Sequence, residues 1–388
     1  MSLTVETDVV IVGAGLVGLS AAMALHDIGK RVVLLDAKQP DFSLPTQFDQ
    51  RIYAITPGNV QWLRGIQVWD KVDKRRVNSI HCMRLWHEDA TIRLDSMDAH
   101  LPDLGVIVEQ QNLMCAFNQR LKDTGLETIF DAPPRSIENN EDSISLTLSD
   151  GAHIVAQLLI GADSARSWVR DSLGISTRLH DFEQTAIVAN FKASKPHHDA
   201  AYQWFRPHET LALLPMPDQH VSLVWALSTQ SAQQKLILSA EELAESIGQV
   251  SDNILGNLVQ VTEATAFPLK QVTATRFVAQ RAVLVGDAAH QVHPMAGQGV
   301  NLGFRDVIRL VQELQETHGM IPLGDAQLLR RYERGRKADV LGMHILTTGL
   351  DTLFAMHNTS LQTLAQWSFK QVGQHSWMKK RLIRQAVI

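Results

Sequence analysis

The stretch Val9-Val10-Ile11-Val12-Gly13-Ala14-Gly15-Leu16-Val17-Gly18 decides the fold. Four consecutive β-branched residues read as a strand buried on both faces. Three glycines at GxGxxG spacing follow at once, and apolar residues at Leu16, Leu19, Ala22 and Met23 then keep a helical period as far as Gly29, a candidate C-cap. Arg31–Leu35 reads as the next strand and ends on Asp36. In such a unit Gly13 makes the tight turn, Gly15 lets a pyrophosphate approach the backbone, and Gly18 lets helix and strand pack closely. The free N–H groups at the helix start favour phosphate, and Asp36 stands where an acid accepts hydrogen bonds from a ribose. Glycines serving only a tight turn are the competing reading.

Outward from this unit, the chain divides. A second nucleotide-domain fragment runs from Val106 to Gly174, with a helix Gln111–Asp123, strands near Ile137 and over Ser143–Leu148, and a buried strand Leu158–Ile160. A third starts at the strand Ala282–Val285 and continues into a long helix after Gly297. Between them, Thr185–Thr275 is dominated by strand patterns. Gln203–Pro215 and His220–Leu227 alternate about a turn at Pro217-Asp218, and Glu241–Gln249 reads as a helix. From Asp325 onward the chain reads as helical.

Two further motifs follow buried strands and open helices. One is Gly161-Ala162-Asp163-Ser164-Ala165-Arg166-Ser167, with Arg170 beyond it. The other is Val285-Gly286-Asp287-Ala288-Ala289-His290, continued by Pro294, Gly297-Gln298-Gly299, Asn301 and Asp306. Asp287 at a strand end can bind ribityl hydroxyls or act as an N-cap. The amides of Gly297–Asn301 at a helix start favour negative charge. Together with the first glycines, these motifs resemble the flavoprotein aromatic hydroxylases of the para-hydroxybenzoate hydroxylase fold. Within them, they resemble the branch acting on ubiquinone precursors.

The resemblance implies an α/β fold: an FAD-binding Rossmann-like domain assembled from discontinuous segments, an inserted antiparallel-sheet substrate domain and a helical C-terminus. The expected boundaries give residues 1–75, 106–178 and 275–345 to the FAD-binding domain, 76–105 and 179–274 to the substrate domain, and 346–388 to C-terminal helices. It implies FAD as cofactor, bound by Gly13, Gly15, Gly18, Asp36, Arg51, Gln110, Asp163, Gly286, Asp287, Gly297, Gln298, Gly299 and Asn301. Arg51 belongs to an Asp-x-Arg segment (Asp49-Gln50-Arg51), and Gln110 opens a helix where the family places a cofactor contact. As a sequence reading alone, Arg51 could be a surface ion-pair partner and Gln110 a surface helix residue. Ser164 replaces the usual glycine of its motif, at a cost if the position needs positive φ.

The implied activity is FAD-dependent monooxygenation of a prenylated phenol or quinol in ubiquinone biosynthesis, with NAD(P)H as co-substrate and O2, through a flavin C4a-hydroperoxide. Pro294 falls in the segment expected beside the reactive edge of the flavin, as a peroxide-steadying element or a plain loop former. Leu213, Pro215, Met216 and Trp225 either face the substrate or belong to the core. Two other functions stay open: a related FAD-dependent oxidoreductase on another aromatic or isoprenoid substrate, and a non-catalytic accessory protein of the biosynthetic complex.

Composition narrows the rest. With 36 Lys+Arg against 41 Asp+Glu, the net charge of -5 speaks against nucleic acid as a partner. Two cysteines exclude a disulfide framework, and the 16 histidines show no metal-ligand spacing. His197-His198 reads as a solvated loop pair. The apolar start lacks a basic n-region, and no long uncharged run follows, so a cytoplasmic protein is expected. A greasy substrate implies contact at the inner face of the membrane or with a biosynthetic complex. The C-terminal Leu361, Leu364, Trp367, Phe369 and Trp377-Met378 would serve that contact, pack on the nucleotide domain, or form a homo-oligomer interface.

Overall fold

The computed structural model describes residues 4–87, 90–292, 298–317, 320–355, 379–380 and 383; the side chains of 298 and 344–355 fall outside that description. Pro294, Gly297 and the C-terminal Leu361–Met378 stretch lie outside the described residues.

Strand Thr4–Val12 runs parallel to Val32–Leu35 on one side and to His153–Gly161 on the other. Ala282–Leu284 and Glu127–Ile129 extend the same parallel sheet outward. Sheet neighbours thus come from three separate stretches of chain, which is the discontinuous nucleotide domain expected. Val9, Val10 and Ile11 are fully buried, because the helix Leu16–Asp27 covers the sheet and packs on the helices Gln110–Thr124 and Gln298–Glu316. Gly29, just past the first helix, has φ +78, as a C-terminal cap requires.

The second sheet is ordered His290–Gln291, Thr265–Ala274, Thr177–Ala193, His220–Ser228, Glu209–Pro215, Ala200–Arg206, Cys82–His87, Ala90–Asp95. Its pairings are antiparallel except between Ala200–Arg206 and Cys82–His87. A third, small sheet joins Ile52–Ile55, Gly105–Glu109 and Asn78–Ile80. Two expectations need correction. Gln203–Pro215 is two strands, broken by a turn at Pro207-His208 where His208 takes φ +58. The long central strand begins at Thr177, ahead of Thr185, because its first residues pair with the Val272–Ala274 end of its neighbour.

Period-two alternation gives the second sheet two different faces. Ile187, Ala189, Phe191, Leu211, Leu213, Leu223 and Trp225 pack under the helices Thr229–Leu236 and Ala240–Val250, together with Ala232, Leu243 and Ile247. Leu213 and Trp225 are therefore core. Met216 belongs to a separate cluster on the other side, with Leu214, Ile80 and Ile107. His197 also departs from expectation: it is buried, with Nε2 2.8 Å from the Met216 carbonyl oxygen and Nδ1 accepting from the Asp199 amide.

Candidate functional site

The first glycine turn explains itself sterically. A Cβ on Gly18 would lie 1.8 Å from the Gly13 carbonyl oxygen, and one on Gly13, at φ +110, would lie 2.3 Å from the Ala162 carbonyl oxygen. Those contacts press the first motif against the second. Gly15 differs: it is exposed, and a Cβ there would meet nothing within 4 Å. Open space over free helix N–H groups is what a pyrophosphate needs. Asp36 fixes this turn by accepting the Ala14 amide on Oδ2 at 2.7 Å, and Oδ1 accepts from the Lys38 amide.

In the second motif Asp163 Oδ2 accepts from the Val169 amide at 3.0 Å, whereas Oδ1 is buried without a hydrogen-bond partner. Burial pushes the carboxyl up, against the nearby Ser167 and backbone donors. Ser164 has φ +72, so serine does occupy a left-handed position that glycine would take without strain. Arg170 ties this motif to the third: its Nη1 donates to the carbonyl oxygens of Ala165 and Ala288.

Asp287 sits in the turn Gly286–His290. Its side chain reaches solvent, yet nearby protein removes part of its hydration. That desolvation raises its carboxyl, and the Asp306 carboxylate adds to the effect while His290 opposes it. Gly299, at the start of the long helix, is close by: a Cβ there would lie 3.8 Å from Asp287 Oδ1. Gln298 begins this helix. Tyr53 belongs to the same neighbourhood, its hydroxyl pushed up to about 12 by burial and by Asp287, with Arg51 opposing.

Arg51 and Gln110 come together here although 59 positions separate them. The Gln110 amide donates to the Arg51 carbonyl oxygen at 2.8 Å, and Tyr53 Oη donates to Gln110 Oε1 at 2.9 Å. The Arg51 side chain is exposed and makes no ion pair among the described residues. Asn301 is buried, with its side chain spent on the frame: Oδ1 accepts from Thr56 N and Asn59 Nδ2, and Nδ2 donates to the Ala54 carbonyl oxygen.

Sequence reading placed Asp306 in the third motif without giving it partners, and passed over Arg336 and Asn190. Asp306 Oδ2 accepts from both the Gly286 amide and His290 Nε2 at 2.7 Å, and Oδ1 accepts from Arg336 Nε at 2.6 Å. One carboxylate thus holds both ends of the turn that carries Asp287. Asn190, on the second face of the large sheet, donates Nδ2 to the Asp49 carbonyl oxygen at 2.8 Å and so joins that sheet to the Arg51 segment. No local signal marks Arg336 or Asn190, or tells what Asp306 holds, because each partner is distant in sequence.

The donor set fits an FAD: an open pyrophosphate cradle at Gly15, an accessible acid at Asp287, a helix start beside it, and an exposed cation at Arg51. A family model for an FAD binding domain matches residues 6–343. The match defines a flavoprotein with an FAD binding domain, and its relatives place it among the monooxygenases. Over 365 residues the chain is 33% identical to 3-demethoxyubiquinol 3-hydroxylase of Escherichia coli (strain K12), covering 92% of each. It is 36% identical to ubiquinone hydroxylase UbiL of Rhodospirillum rubrum, over 90% of this chain and 82% of the relative. It is 30% identical to the mitochondrial ubiquinone biosynthesis monooxygenase COQ6 of Mus musculus, over 97% and 90%. The fold resembles that of p-nitrophenol 4-monooxygenase PnpA from Pseudomonas putida, with TM-score 0.79 at 18% identity, covering 99% of both chains. The chain belongs to the ubiquinone-hydroxylase branch of the FAD-dependent aromatic hydroxylases.

Proposed function

We propose that this protein hydroxylates the aromatic ring of a prenylated phenol or quinol in ubiquinone biosynthesis, using NAD(P)H and O2. The supporting observation is the second face of the large sheet. Its central cross-strand neighbours, Val188, Val224 and Ala212, are neutral and small. Val188 and Val224 stay half-exposed although most residues around them are buried. Val224 belongs to the same apolar cluster as Ile52 and Ala54, which flank Tyr53. An apolar, partly buried patch beside the cofactor segment, built from Val188, Val224 and Ala212, suits a greasy ring better than a charged benzoate.

In this reading Gly13, Gly15 and Gly18 hold the pyrophosphate, Asp36 a ribose, and Asp287 the ribityl chain. Gly286, Asp163, Arg51 and Gln110 line the cofactor, and the helix start at Gln298, Gly299 and Asn301 stabilises negative charge at the flavin's pyrimidine edge. Bound FAD, reduced by NAD(P)H, supplies the oxygen-activating chemistry. The chain's own part is to hold ring and cofactor together and keep water out. A prenylated substrate further implies work at the membrane's inner face or within a biosynthetic complex. No described helix is long and apolar enough to cross a membrane.

The test is anaerobic NAD(P)H reduction of the purified yellow protein, with and without a prenylated phenol, followed by air. Faster bleaching with the phenol and a ring-hydroxylated product carrying oxygen from O2 are expected. Hydroxylation without O2-derived oxygen, or reduction indifferent to every phenol, overturns the substrate reading. Absence of any NAD(P)H-dependent bleaching favours a non-catalytic role.

A further inference from the structure

Residues 36–51 link two strands without regular secondary structure. Connections that long in a compact domain are uncommon and usually carry function. Most of this one is exposed, so apolar burial does little to hold it. Besides Asn190, which holds the Asp49 carbonyl, the main clasp on its second half is Arg76, which lies outside all three glycine motifs. Nη1 donates to the carbonyl oxygens of Pro45 at 2.8 Å and Thr46 at 3.2 Å, and Nη2 to that of Gln47 at 2.8 Å. Nε and Nη2 grip the Glu109 carboxylate at 2.7 and 2.6 Å, and the guanidinium lies over the Phe48 ring, 5.0 Å from its centre. These five bonds use all five donors of a guanidinium.

Glu109 passes the constraint on. Only 1% exposed, it also accepts the Asp49 amide at 2.6 Å. Asp49 in turn accepts the Arg51 amide on Oδ1 and the Gln111 amide on Oδ2. Each link therefore moves one step closer to Arg51 and Gln110. A buried ion pair stabilises little more than apolar residues of its size would; its gain is register. We propose that Arg76 is a positioning residue for the cofactor, clasping residues 45–51 to Glu109 so that Arg51 and Gln110 are set for FAD. This rests on the cofactor reading above.

Arg76→Lys keeps the charge but cannot supply the fork. In the holoprotein, amide hydrogen exchange of residues 46–51 should rise about tenfold, and the Kd for FAD should rise about tenfold, with little change in the Tm of the FAD-free chain. Arg51→Met should then weaken FAD binding less in the Arg76→Lys background than in the parent, since the two act in series. Arg76→Met/Glu109→Met, which leaves no lone buried charge, should reproduce the loosened segment in a folded chain. Unchanged exchange at 46–51, or loosened exchange with unaltered FAD affinity, overturns the proposal. Arg51→Met alone reports separately on whether Arg51 serves the flavin.

Discussion

The His290 imidazole and the Asp306 carboxylate, both fully buried, meet at 2.7 Å. Burial alone would push the Asp306 carboxyl up, but His290, Arg336 and the Gly286 amide outweigh it and hold it below its ordinary range. Asp306→Asn removes the buried partner of Arg336 and leaves it only the largely exposed Asp339 carboxylate, so it should cost about 3–5 kcal/mol, read by chemical denaturation. FAD retention should fall with it, because the neutral amide holds Gly286 and His290, the two ends of the Asp287 turn, more weakly than the carboxylate does.

The same depressed carboxyl fixes a pH dependence. Its contribution is fully present above the unfolded Asp value of about 3.9 and is lost as pH falls through the lower folded value. Stability measured from pH 6 downward should fall more steeply in the parent than in Asp306→Asn.

Asp287 has the opposite sign. Its folded carboxyl is raised, so stability declines as pH rises from the ordinary carboxylate range through the folded value. Asp287→Asn should therefore raise the Tm of the FAD-free chain at pH 7, yet bind FAD more weakly. Undiminished yellow holoprotein in Asp287→Ala would remove Asp287 from the cofactor site.

Two glycines separate folding from binding. Gly18→Ala meets the Gly13 carbonyl and should lower stability by about 1–3 kcal/mol. Gly15→Ala meets nothing, so the FAD-free chain should keep its Tm while FAD affinity drops. Ser164→Gly relieves the strained φ and should stabilise by about 0.5–1 kcal/mol in thermal melts.

Adjacent residues on one strand should fail in different ways. Trp225→Ala empties a core position that is 1% exposed, at about 3–5 kcal/mol. Val224→Trp crowds the partly buried apolar patch on the other face and should abolish hydroxylation of a prenylated phenol while the protein stays folded and yellow.

What the sequence by itself determined is local. A β-branched run, glycines at fixed spacing and a terminal acid specify the strand, turn and helix of the nucleotide unit, because φ freedom and unpaired N–H groups depend on immediate neighbours. The alternation at residues 220–227 was equally legible. Its direction was not: whether Val224 or Trp225 faces the core depends on where the Thr229–Leu236 and Ala240–Val250 helices pack. Pairing across the chain was also left to the tertiary structure. Arg76 meets Glu109 across 33 positions, Arg336 meets Asp306 across 30, and Asn190 meets Asp49 across 141. A charge or amide in a sequence looks the same whether solvated or clasped; only folding brings its partner within hydrogen-bond reach and removes the competing water.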